Sequence, residues 1–254
     1  MTEPLLRVEG LTKRFGGVVA ADAVALELAR GEFHAVIGPN GAGKTTLIGL
    51  LAGEIPPHAG SIRFDGSDIT RLRVDRRSRL GIARSFQITS LFSDFSALDN
   101  VALAVQAHCG HSFRFWKDAR RDAVLREPAR AALADVGLGA RAQIRVDRLS
   151  HGEHRQLEIA IALATRPRLL LLDEPMAGLG PEESARMVGM LRKLKGAITV
   201  LLIEHDMETV FALADRVTVL VYGRVIASGD PAAIRTDPAV REAYLGEQEA
   251  RAHD

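Results

Sequence analysis

The sequence predicts an α/β fold on a mainly parallel sheet, interrupted by a helical stretch, and three observations predict it. Near-continuous apolar runs, Leu169 to Leu172 and Val200 to Ile203, alternate with helical segments in the last third, as strands buried on both faces of a parallel sheet do. The first third reads as short strands separated by Gly-containing turns. Between them, from about Arg71 to Ala164, the apolar residues recur at helical spacing.

Taken in order, strands are expected at Leu5 to Glu9, Val24 to Ala29, Glu32 to Ile37 and Ser61 to Phe64, with turns at Arg30-Gly31 and Asp65-Gly66. Helices are expected at Asn100 to Ala107, Trp116 to Val136 and Ser150 to Ala164. Pro128 should break or kink the second of these, because it lacks the N–H that an interior helical position donates. Strand Leu169 to Leu172, helix Glu182 to Lys195, strand Ile198 to Ile203, helix Met207 to Ala214 and strands Val217 to Val221 and Val225 to Ala227 complete the alternation. The polar tail from Glu247 is expected to fray.

Composition narrows the function classes. The 254 residues are 47% hydrophobic and 26% charged, which excludes wholesale disorder and suits one substantial core. Lys and Arg number 33 against 32 Asp and Glu, so bulk charge gives no pull toward nucleic acid or a membrane surface. The signs are nonetheless segregated: residues 60–148 hold 16 basic and 10 acidic residues, the remainder 17 and 22. A single cysteine, Cys109, excludes an intrachain disulfide and a multi-cysteine zinc site. No apolar run approaches the ~18 residues of a membrane span, and the acidic start does not resemble a signal peptide, so a cytoplasmic chain is expected.

The chemistry begins at Gly38-Pro39-Asn40-Gly41-Ala42-Gly43-Lys44-Thr45, a G-x-x-x-x-G-K-[ST] loop set between a predicted strand and the apolar run Thr46 to Ala52. Glycines let backbone N–H groups close round phosphate oxygens. The helix N-terminus adds positive potential, Lys44 offers a charge to the β/γ-phosphates, and Thr45, with Thr46 beside it, offers a hydroxyl to Mg²⁺. A Gly-rich turn capping a helix is the plainer account, but the strand before and helix after argue against it. Asp173-Glu174 follows Leu169 to Leu172, where an α/β sheet carries its ligands. Asp173 would hold Mg²⁺ opposite Thr45, and Glu174 would polarise the attacking water. Together these elements predict a nucleoside triphosphatase.

Leu149-Ser150-His151-Gly152-Glu153-His154-Arg155-Gln156 reads locally as a capping box, Ser150 with Glu153 three residues on. It also resembles the signature, usually LSGGQ, of ATP-binding cassette proteins, and with it the resemblance covers nearly the whole chain. The resemblance implies a P-loop ATPase core at 1–87 and 165–254 with an N-terminal antiparallel β-subdomain, and a helical subdomain at 88–164. It implies a head-to-tail dimer, homodimeric or paralogous, in which Ser150, Gly152 and Glu153 of one subunit close over ATP held by the P-loop of the other. Phe15 matches the aromatic that stacks on adenine, Gln87 the glutamine that meets Mg²⁺ and tracks the membrane partner, and His205 the histidine that reaches the γ-phosphate.

Within the family, Leu11 to Gly17, Leu91-Phe92, Asp99 to Val101, Ala177 to Leu179, Ile203 to Met207 and Ala243 to Gly246 resemble ATP-binding subunits of branched-chain amino acid importers. The implied partners are transmembrane permease subunits and, indirectly, an extracytoplasmic solute-binding protein, with the chain peripheral at the inner membrane face. The alternatives are the ATPase subunit of a lipid or lipopolysaccharide exporter, or a nucleic-acid-acting cassette ATPase. A soluble P-loop kinase is a further rival. Three positions depart from the family pattern: His151 replaces the first signature glycine, Glu153 replaces Gln, and Gly180 stands where Asp or Asn is common.

Other features carry less. His108-Cys109-Gly110-His111 has metal-like spacing but no second cluster to supply the four ligands of zinc. The Arg-rich stretch Arg71 to Arg84 lacks interleaved aromatics, so a solvated helical face or a rim for a membrane partner is expected rather than nucleic acid. The Phe113 to Trp116 cluster could be a lid or a contact surface.

Overall fold

The computed structural model describes residues 3–85, 91–109 and 122–243. Gln87, the Phe113 to Trp116 cluster and the tail lie outside these residues. The chain divides into two compact units, one formed by residues up to 77, 171–174 and 194 onward, the other by 78–170 and 175–193.

In the first unit an antiparallel sheet has the order β2-β1-β4-β5, built from β1 (Leu6–Phe15), β2 (Val18–Leu28), β4 (Ala59–Phe64) and β5 (Ser67–Asp68). Strands β1 and β2 are longer than the alternation predicts, and Phe15 is the last residue of β1. Register shifts after Val8 and Leu11 break the two-residue period, which is why the sequence pattern stops at Glu9.

The same unit holds a mixed sheet. Strand β3 (Phe33–Ile37) is central, parallel to β8 (Thr199–Ile203) on one side and to β9 (Arg216–Val221) on the other, with β10 (Arg224–Gly229) antiparallel to β9 at the edge. Strand β7 (Leu169–Asp173) follows β8 in the order. Strands β3, β7 and β8 are buried at every residue, as their largely apolar sequences require. Helix α7 (Met207–Leu213) and the short α8 (Pro231–Thr236) supply Val210 and Ile234 to a core with Ala35, Ile37, Val217 and Val219. Helix α8 was not expected; Asp230 caps it and Pro231 opens it.

A polar chain crosses this largely apolar sheet. His34, 1% exposed, donates from Nδ1 to Glu32 Oε1 at 2.9 Å, and its Nε2 lies 2.7 Å from Thr218 Oγ1, which meets Ser228 Oγ at 2.9 Å. Burial alone would raise the Glu32 carboxyl. The bonds from His34 and the Ala29 N–H, with the charges of His34 and Arg216, outweigh it and hold the carboxyl below its ordinary value. A carboxylate depressed on folding stabilises above its unfolded value, and that contribution is lost as pH falls through the folded one. Glu32→Gln should therefore cost about 1 kcal/mol near neutral pH, and the gap from wild type should close in acid. Urea unfolding at two pH values measures it.

The second unit is mainly helical: α3 (Ala97–Cys109), α4 (Ala123–Asp135), α5 (His151–Leu163) and α6 (Pro181–Lys193). Strand β6 (Ile82–Arg84) lies in the stretch expected to be helical and runs beside the start of β7. Just before it α2 (Val74–Arg79) lies across the division of the units. Pro128 does not break α4, which runs through it. The carbonyl that loses its partner is that of Val124, a residue 58% exposed, so water can serve it.

Candidate nucleotide site

Parallel pairing fixes where the chemistry gathers. Val36 of β3 pairs with Ile203 of β8, so the loop from Gly38 and the turn at His205 leave the sheet at the same end. Strand β7 joins them there, because the Glu174 N–H donates to Ile203 O at 3.0 Å. This is the carboxyl end of the parallel strands, where α/β sheets hold ligands.

The loop enters helix α1 (Lys44–Ala52) through Gly43, in left-handed conformation at φ 100°. No side chain caps α1 and its first turn holds no acid, so its N-terminal N–H groups suit an anion. Gly38 and Gly43 are required by packing: a Cβ would lie 1.9 Å from Leu220 O at the first and 2.1 Å from Ala20 O at the second. A turn at Tyr222-Gly223 braces the loop, with Gly223 N donating to Ala42 O at 2.8 Å. Lys44 is 7% exposed and its ammonium donates to Gly38 O at 2.6 Å and Pro39 O at 3.0 Å, within the loop itself. Asn40, Gly41 and Thr45 are exposed, Pro39, Gly43 and Thr46 partly so, while Ala42 is buried.

Asp173 is 4% exposed at the end of β7. The next residue, Glu174, takes φ 49°, a left-handed conformation that costs about 1–2 kcal/mol in a non-glycine residue; such strain concentrates at functional positions. Its Oε1 lies 3.9 Å from His205 Nδ1. The His205 side chain is 64% exposed, and Asp206 caps α7 behind it, accepting from Glu208 N and from Thr209 Oγ1. Phe15 is 49% exposed, and the Lys13 ammonium lies 5.2 Å from its ring centroid.

Ser150, Gly152 and Glu153 belong to the other unit. The capping box is present: Ser150 Oγ accepts from Glu153 N at 3.2 Å and Glu153 Oε2 accepts from Ser150 N at 2.8 Å. Arg141, which the sequence did not mark, donates to Glu153 Oε1 at 2.9 Å, so this carboxylate is engaged by its own fold. Ser150, Gly152 and Glu153 line an open cleft of about 380 Å³ with Leu179, Glu183 and Arg186. The His151 ring lies against Gly178, where a Cβ would stand 3.0 Å from Nε2. Gly180 offers its N–H to Glu183 Oε2 at 3.4 Å.

Gln87 lies outside the described residues. Among the described residues no group of three or more His, Cys, Asp or Glu is placed to hold a metal, and Cys109 is exposed. No described helix is long and apolar enough to cross a membrane.

A parallel sheet ending in a glycine loop with a buried lysine, an Asp-Glu pair and a facing histidine defines a P-loop nucleoside triphosphatase. A family model described as ABC transporter matches residues 21–177, and one described as branched-chain amino acid ATP-binding cassette transporter matches residues 224–250. The chain is 40% identical over 256 residues to the high-affinity branched-chain amino acid transport ATP-binding protein BraF of Pseudomonas aeruginosa, covering 97% of this chain and 100% of that one. It matches a solved ATP-binding cassette of an ABC transporter in its ADP conformation with TM-score 0.85 and 30% identity, over 96% of this chain and 100% of that one. A dimeric post-hydrolysis cassette bound to ADP and Pi matches with TM-score 0.75 and 25% identity, over 89% and 98% of the two chains. The chain belongs to the ABC transporter family and is its ATP-binding, ATP-hydrolysing subunit, with ATP and Mg²⁺ as cofactors.

Proposed function

We propose that this subunit powers uptake of branched-chain amino acids, or of related small polar solutes, through separate permease subunits at the inner face of the membrane, supplied by a solute-binding protein outside. The observation that carries the substrate class is the full-length likeness to a branched-chain amino acid transport protein, with the C-terminal match over residues 224–250 in support. Two cassettes, identical or paralogous, close head-to-tail over MgATP, a reading that the dimeric post-hydrolysis relative supports.

Within that reading each residue has a task. The core of residues 1–87 and 165–254 holds the nucleotide, and the helical segment 88–164 carries the signature. The loop Gly38 to Thr45, with Thr46, wraps the phosphates, and Lys44 turns its ammonium from the loop carbonyls to the β/γ oxygens. Thr45 and Asp173, with Gln87, hold Mg²⁺, whose charge offsets that of the phosphates. Glu174 polarises the attacking water, His205 contacts the γ-phosphate, and Phe15 stacks on adenine. Ser150, Gly152 and Glu153 of the partner cassette cover the ATP from the other side. Catalysis is then positioning and electrostatics.

The test is transport. The chain should copurify with its permease, and proteoliposomes loaded with MgATP and given the binding protein should take up labelled leucine, isoleucine or valine. Lys44→Ala should weaken nucleotide binding about tenfold or more, by loss of a charge-assisted bond, and uptake should fall with it. ATP hydrolysis without uptake of any of the three would overturn the substrate class, and unchanged ATP affinity in the variant would overturn the role of Lys44.

A further inference from the structure

Strand β8 is apolar from Val200 to its last residue, and the residue that follows, Glu204, is 0% exposed. Burying a carboxylate at the end of a hydrophobic strand is costly, so a fold that keeps one there has a use for it. The side chain of Glu204 turns back on the next residue: Oε2 accepts from the His205 backbone N–H at 3.2 Å and stands 3.9 Å from His205 Nδ1. Glu174 Oε1 stands at the same 3.9 Å from that nitrogen. His205 itself is 64% exposed, so packing does little to hold its ring. Two carboxylates, one buried and one at the end of β7, therefore face the same ring nitrogen.

We propose that Glu204 is a positioning residue for hydrolysis: it anchors the His205 backbone and, with Glu174, sets which edge of the imidazole is turned away from the sheet end. The ring is thereby aimed before nucleotide arrives, although most of its surface is in water. Glu204 touches neither nucleotide nor water in this role; it acts through His205. Orientation of this kind governs kcat more than ATP binding, because a small misplacement of a group acting in the transition state lowers the rate while the P-loop holds the nucleotide as before. The proposal rests on the reading of His205 as the γ-phosphate contact, and the test separates the two.

Steady-state ATPase of the full chain with MgATP is compared for wild type, Glu204→Gln, Glu204→Leu, His205→Ala and the Glu204→Leu/His205→Ala double variant. The amide of Glu204→Gln keeps an acceptor for the His205 N–H, whereas Leu removes acceptor and charge together. Glu204→Leu should lower kcat about tenfold with KM for ATP little changed, Glu204→Gln should fall between it and wild type, and the double variant should be no slower than His205→Ala. Such non-additivity is not expected of a merely structural defect. Thermal melts establish that each variant is folded; should Glu204→Leu fail to fold, Glu204→Gln carries the test through the same fall in kcat at constant KM. Wild-type kcat in the folded Glu204 variants beside a slow His205→Ala would overturn the role of Glu204 and leave His205 standing. Wild-type kcat in His205→Ala would overturn the reading of His205 itself.

Discussion

Glu174→Gln should bind MgATP as wild type does and hydrolyse it at least about 100-fold more slowly, the range general base catalysis supplies. The structure makes this change informative. The anchor of Glu174 is its backbone N–H on Ile203 O, which the substitution leaves in place, and the two side chains have the same shape. The left-handed φ of 49° is equally strained for either residue. What changes is the oxygen facing His205 Nδ1 at 3.9 Å, from a carboxylate that can polarise water to an amide that polarises it poorly. Equilibrium ATP binding and phosphate release on the same preparation measure the two quantities. Wild-type turnover would remove Glu174 from the chemistry.

Arg77→Met should destabilise the protein by roughly 1–3 kcal/mol, since it leaves buried carbonyl oxygens without their donor. Arg77 is 1% exposed. It donates from Nε to Leu72 O at 2.9 Å, from Nη1 to Leu50 O and Leu51 O at 2.7 Å each, and from Nη2 to Thr70 O at 3.1 Å. Burial pushes the guanidinium down to about 10, with Asp68 only partly opposing, so the group is charged at neutral pH. Leu50 and Leu51 belong to the last turn of α1, whose carbonyls lie at the negative end of the helix dipole. Met fills similar volume and leaves these acceptors without the guanidinium. Lys reaches fewer of them and should fall between. Urea unfolding at neutral pH reads the loss, and a variant within about 0.5 kcal/mol of wild type would mean that water replaces the guanidinium.

Arg77 also marks where sequence reading stopped. The run Arg71 to Arg84 was expected to be a solvated face or a partner rim, and Arg71, Arg73, Arg76 and Arg79 are indeed exposed. Nothing in the run sets Arg77 apart, because its burial depends on carbonyls of α1 more than twenty residues away. The nucleotide loop and the Asp173-Glu174 pair were legible because backbone requirements dictate them: glycine where a Cβ would strike Leu220 or Ala20, and apolar residues throughout a strand buried on both sides. Glu204 was read as part of a family stretch, and its burial behind His205 needed coordinates. The strand extension to Phe15 was hidden by bulges, and β6 by its three residues. The contact between Arg141 and Glu153 joins residues twelve apart in sequence, with no local periodicity to announce it.

The two glycines pinned between β2 and β9 bear on how this subunit can be redesigned. Substitution at Gly38 or Gly43 would push apart the chain walls on which the loop is built, so the resulting loss of ATP binding says nothing about phosphate contacts. Gly41 has open space but a φ of 78° that disfavours any side chain. Asn40, by contrast, is exposed and has no left-handed φ, so a substitution there meets neither the wall contacts nor the backbone strain that constrain the loop glycines.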